Sequence, residues 1–296
     1  MNSTSFRIAI LAGLGLAALA GAWTVRAAPA RPSSLRVLSA TDHDLFARAY
    51  DAAGRGDWVG ARALAAQGSN PVARQLLEWD YARTGNASFS EIDAVLKTNA
   101  GWPGRGTLYA RAEQALPQEM GESETIAWFG ARTPATSIGK VRLGEALIDA
   151  GQVTKGRALV REGWVAGSFD PATELAIVQK DGAFITQADD RARLENLIWR
   201  GQTTAAKREL ARIDGSTVAA QARIALAAGL KPARAALAAA QGSDDPELLF
   251  DWAAALRRDG QDDEAHAMLL RVSAPALLQG HADRWWSEHN IQARDA

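Results

Sequence analysis

Four histidines, a glycine-rich run and several acidic clusters are the residues of this sequence whose types could do chemistry. A histidine metal site needs ligands brought to one helix face, as a His-Glu-x-x-His phrase does. His43, His266, His281 and His289 are never four apart and form no such phrase. The chain has no cysteine, which removes thiolate ligands and thiol nucleophiles, so neither a metal nor a cofactor is expected. Gly101-Trp102-Pro103-Gly104-Arg105-Gly106 has the glycines of a phosphate-cradling loop but no strand before it. Asp189-Asp190 and Asp262-Asp263-Glu264 stand where helices should begin, and acids there complement the helix dipole. Tryptophan is the unusual element, at ten residues. Trp58, Trp128, Trp199 and Trp252 fall on apolar faces and read as core anchors. Trp285 and Trp286 are adjacent, so one helix cannot bury both on a narrow face. One ring is left to pack against a neighbour or to stack on a sugar, and packing is the favoured reading.

The elements that would position these residues are helices. Leu45, Phe46, Ala49, Tyr50 and Ala53 recur at helical spacing, and Gly54 and Gly56 supply a stop that tolerates the left-handed region. Pro71 opens a helix carrying Val72, Leu76, Leu77 and Trp79, and Ser88-Phe89-Ser90-Glu91 has the form of a capped start. A helix–turn–helix phrase then recurs. Gly56, Gly151, Gly201 and Gly260 each follow an apolar helix, and each has a small residue five positions on: Ala61, Gly156, Ala206 and Ala265. Leu64, Leu159, Leu210 and Leu269 follow at eight or nine. A glycine that ends one helix, followed by a small residue that lets the next lie close, is the physics of tetratricopeptide-like units. The glycines are 95, 50 and 59 residues apart, so the repeats are degenerate; Gly229 marks a further turn. No segment shows strand alternation with hairpin turns. The fold class expected is all-α, an α/α superhelix (solenoid) of degenerate tetratricopeptide-like helix pairs.

Composition agrees, with 47% hydrophobic and 23% charged residues, as in ordinary globular proteins. Arg7, the uncharged apolar run from Ile8 to Ala22 and the small residues of Val25-Arg26-Ala27 have the form of a cleavable export signal over residues 1–27. Residues 28–41, which begin Ala-Pro-Ala-Arg-Pro-Ser-Ser, read as a linker, and residues 42–296 as the helical domain. Cleavage would remove Arg7 and Arg26 and no acid, taking the formal charge from −1 to −3. Such a balance exerts no long-range pull on nucleic acid or anionic lipid. The expected location is the periplasm, with no stable membrane span.

Trp102-Pro103 stands with Leu108 and Arg111-Ala112-Glu113, followed by Ile126-Ala127-Trp128-Phe129 and by Gly139 to Leu147. Asp189 to Leu194 with Ile198-Trp199, and Asp283-Arg284-Trp285-Trp286-Ser287-Glu288, complete the set. Together these phrases resemble the N-terminal superhelical region of soluble lytic murein transglycosylases. The resemblance runs from about Phe46 to the last residue. It implies a periplasmic role in peptidoglycan turnover. In that family one glutamic acid of a following lysozyme-like domain protonates the leaving oxygen, then takes the proton of the attacking muramic 6-hydroxyl, leaving a 1,6-anhydro end. Glu122-Ser123 matches the family's catalytic pair in type but falls between helices of the repeat region, with no Gly-Leu-Met-Gln-type phrase after it. No catalytic residue is carried over, and the helical region is expected to be cut short at its C-terminal end, without the lysozyme-like domain.

The expected function is therefore that of a scaffold that positions glycan strands and a catalytic domain, with Trp285 and Trp286 as candidate contacts to either. A stand-alone periplasmic scaffold that takes a protein partner in its concave face is the rival reading.

Overall fold

The computed structural model describes residues 37–272 and 282–295. The signal segment, most of the expected linker and His281 lie outside them. Among the described residues there are sixteen α-helices and no strand, so the chain is all-α. No helix there is long and apolar enough to cross a membrane. Contacts divide the chain into two units, Met1–Asn70 and Pro71–Ala296, within the span read as one helical domain.

The first unit holds α1 (Ala40–Gly54) and α2 (Trp58–Ala65). The Ser39 hydroxyl accepts the Asp42 amide and caps α1, so helix begins within the last residues of the expected linker. Leu45, Phe46, Ala49 and Ala52 form the buried face. Tyr50, expected on that face, is exposed, because the apolar stripe turns towards Ala52 rather than Ala53. Asp42 is buried and accepts both the amide and the hydroxyl of Ser69.

The second unit begins with α3 (Pro71–Ala82), α4 (Phe89–Thr98), α5 (Arg105–Gln114) and α6 (Glu122–Phe129). Next come α7 (Ser137–Asp149), α8 (Val153–Ala166), α9 (Pro171–Asp181), α10 (Gln187–Trp199) and α11 (Thr203–Glu209). A 3₁₀ turn, Leu210–Arg212, extends α11. The remainder is α12 (Val218–Leu226), α13 (Leu230–Ala239), α14 (Pro246–Arg258), α15 (Asp262–Leu270) and α16 (Ala282–Asp295). Helices pack chiefly on their chain neighbours, α7 on α8, α12 on α13 and α14 on α15, and α10, α12 and α14 also touch in succession. Ser88 and Glu91 close a reciprocal capping box at α4, and Pro71 occupies the first turn of α3, both as the sequence predicts.

The recurring phrase folds the same way four times. Gly56, Gly151, Gly201 and Gly260 have φ of 83°, 84°, 68° and 77°. Around Gly151, its amide donates to Ile148 O, the Gln152 amide to Leu147 O, and the Gly156 amide to Gln152 O. Gly56, Gly201 and Gly260 repeat all three bonds with their own neighbours. This is a Schellman stop whose last residue is also the cap of the next helix. Ala61, Ala206 and Ala265 are fully buried, and Gly156 is buried as well. At the α7–α8 seam the backbones touch: a Cβ on Gly156 would lie 2.5 Å from Gly144 O, and one on Gly163 2.7 Å from Ser137 O. Gly229 also has positive φ, 103°, at the turn between α12 and α13.

Candidate functional site

A cleft of about 490 Å³ opens between α4, α5 and α6, within the usual volume range of about 300–1,000 Å³ for small-molecule sites. Its position follows from the local fold. The capping box fixes the start of α4, aiming Phe89, Asp93 and Lys97 along one face at helical spacing. Gly104, at φ 78°, turns the chain into α5 and delivers Arg105 and Tyr109. Gly130, at φ 55°, ends α6 and brings Arg132 back over Trp128.

The aromatic wall is a set of edge contacts. Trp128 meets Phe89 at 5.3 Å, Tyr109 at 6.2 Å and Phe129 at 4.8 Å between ring centres. The Trp128 indole N–H donates to Asp93 at 3.0 Å, and Lys97 Nζ sits 2.7 Å from the other oxygen of that carboxylate. Arg105 gives two hydrogen bonds, to Leu96 O at 2.8 Å and Asn99 O at 3.0 Å, and a third to the Tyr109 hydroxyl at 2.7 Å. The Arg132 guanidinium lies 4.1 Å from the centre of Tyr109 and 4.7 Å from that of Trp128, and it donates to Trp128 O. Planar cations over aromatic faces gain from the ring quadrupole. A second cleft, of about 640 Å³, lies beside Trp252 with Lys231, Arg234 and Asp259 on its walls.

The residues singled out from the sequence are dispersed. Trp285 is buried against Phe250, 4.6 Å between ring centres, so packing claims it. Trp286 is 73% exposed and is the ring of the pair open to a ligand or partner. Their helix is held by Glu288, whose two oxygens accept from Arg257 at 2.7 and 3.1 Å. Trp58, Trp128, Trp199 and Trp252 are half-buried rather than core; the deeply buried indoles are Trp79, Trp164 and Trp285. Glu122 is the exposed first residue of α6, outside the cleft lining. His43 and His266 are exposed and His289 half-buried, and no metal-binding group of three or more His, Asp or Glu side chains occurs among the described residues.

Sequence reasoning missed the buried charge. Asp189 and Asp190 do lie in the first turn of α10, and Asp189 completes a capping box with Thr186. Asp189 also pairs with Arg161 at 2.8 Å, and Asp190 accepts from the Trp164 indole at 2.9 Å and from Arg212. Below them Arg193 is fully buried, 3.9 Å over the Trp164 ring, 3.0 Å from Glu209 and 2.9 Å from Glu174. Burial pushes the Glu209 carboxyl up to about 7, with Arg193 opposing it. At the next helix pair Arg223 is held by Asp251 and Glu195, and the neighbouring Glu247 is pushed up to about 7, again chiefly by burial. Asp181, at the end of α9, reaches about 7 through burial and the adjacent Glu145. Glu113 is buried too, but three donors satisfy it, the amides of Ala135 and Thr136 and the Thr136 hydroxyl. The signal was available in the phase of α10. Arg193 falls on the stripe of Asp190, Leu194 and Leu197, where a cation survives only if paired.

Fold and site together define an all-α protein whose helices pack chiefly on their chain neighbours, with an aromatic and cationic cleft between α4, α5 and α6. Comparison with protein-family models, with curated proteins and with solved structures gives no match.

Proposed function

We propose that this chain is an exported helical scaffold that handles peptidoglycan strands in cell-wall turnover and positions them for a lysozyme-like catalytic domain. The observation that carries the reading is the cleft between α4, α5 and α6, where aromatic edges, three cations and two carboxylates share one surface. Saccharides are bound by such mixtures, apolar faces for C–H and polar groups for hydroxyls. The phrases that resemble the transglycosylase superhelix support it, because they supply packing. Leu108, Ala112 and Phe129 are buried, Glu113 ties α5 to the start of α7, and Gly144 lies in the α7–α8 seam. Export rests on Arg7, the apolar run and Val25-Arg26-Ala27. The direct test is co-sedimentation of the mature chain with purified murein sacculi. Saturable binding that soluble glycan fragments compete away is the expected result; a chain that stays in the supernatant overturns the reading.

A further inference from the structure

We propose that the cleft between α4, α5 and α6 binds a sugar that carries a single carboxylate, with Arg132 as the partner of that carboxylate. The inference narrows the glycan-handling reading to one site and rests on that reading only in the choice of a sugar. Elsewhere in the second unit Arg142 bonds to Gln118 and to the carbonyls of Pro117 and Gln118, but the buried or half-buried guanidinium groups of Arg193, Arg208, Arg212, Arg223 and Arg257 all pair with carboxylates. The two arginines of the cleft do not. Arg105 is spent on two carbonyls and the Tyr109 hydroxyl. Arg132 donates one bond, to Trp128 O, and its Nε and Nη1 make no hydrogen bond to the described residues. Yet Arg132 is held in place, half-buried between two rings. A cation that is held in place but unpaired is already organised for an anion, and a planar guanidinium suits carboxylate geometry.

Charge sets the kind of anion. Lys97, Arg105 and Arg132 face Asp93 and Glu124, which leaves one positive charge, enough to balance one carboxylate. Inorganic phosphate, with more than one charge at neutral pH, would meet repulsion from both acids. The remainder of the wall fixes the body of the ligand. Phe89, Met120 and the edge of Trp128 offer apolar surface, and the carboxylates can accept hydroxyl hydrogens. The volume admits one or two pyranose rings.

The test uses the mature chain and isothermal titration with three probes: N-acetylmuramic acid, N-acetylglucosamine, which lacks the carboxylate, and inorganic phosphate. The first should bind at least about tenfold more tightly than the second, the worth of one charge-assisted hydrogen bond. Phosphate should not displace it. In Arg132→Gln that preference should disappear. Lys97→Gln, a change at an exposed position that leaves Asp93 uncompensated, should weaken the acid sugar alone and does not depend on how Arg132→Gln folds. Equal affinity for the two sugars, effective competition by phosphate, or no heat with either sugar overturns the proposal. Sacculus binding that persists in any of those cases leaves the broader glycan reading standing, so the two fail separately.

Discussion

Arg193 shows what one residue can decide in this fold. Its guanidinium is enclosed by Trp164, Glu174 and Glu209, and removal would leave Glu209 buried with only Arg212, 3.9 Å away, while Glu174 keeps Arg208. Arg193→Met should therefore destabilise the chain by about 3–5 kcal/mol, read as a shift in the urea midpoint by circular dichroism. Asp181 gives a pH signature instead. Its carboxyl is raised from 3.8 to about 7 by burial and by Glu145, with Asp149 and Lys180 also facing it. The folded state keeps a proton that the unfolded chain releases, so this group's contribution is full below pH of about 4 and is lost as pH rises through about 7. Glu247 and Glu209 are raised for the same reason and act in the same direction. Stability should fall between pH 4 and 7, and Asp181→Asn should flatten that slope; an unchanged slope would mean that Asp181 titrates normally.

At the scale of the element, the turn glycines and the seam glycines have different jobs. Gly151→Ala places a side chain in the left-handed region with nothing near it, and should cost about 1–2 kcal/mol. Gly156→Ala keeps helical backbone angles but drives a Cβ to 2.5 Å from Gly144 O, so α7 and α8 must separate along the whole seam. That loss should exceed the first, and thermal melts of the two variants compare them directly. This much was legible in the sequence, since a left-handed stop and a close helical approach each need glycine or another small residue at a fixed offset. The cleft was not. Arg132 lies 43 residues from Phe89 in the chain, and helical periodicity says nothing about which faces of α4, α5 and α6 will meet. Trp164 escaped for a related reason, since its burial depends on Arg193 and Asp190 from another helix.

For the molecule as a whole, two outcomes separate a scaffold from an enzyme. The exported form should begin at Ala28 or Arg31 by mass spectrometry, as Val25-Arg26-Ala27 and Ala28-Pro29-Ala30 predict. Incubated with sacculi, it should release no 1,6-anhydro products, because Glu122 is an exposed helix start outside the lining of the cleft. Products that vanish in Glu122→Gln would make that residue catalytic and retire the scaffold reading.

The thrice-bonded glycine turn also sets how the chain comes together in time. Each closure joins residues five or fewer positions apart, and α7–α8, α12–α13 and α14–α15 bury their faces on each other. Little loop entropy opposes such local pairing, so each hairpin can form before its neighbours and open without them. Amide exchange should then resolve into steps, one per hairpin. The α7–α8 pair, with its backbones in contact, should be the last to give up its protons.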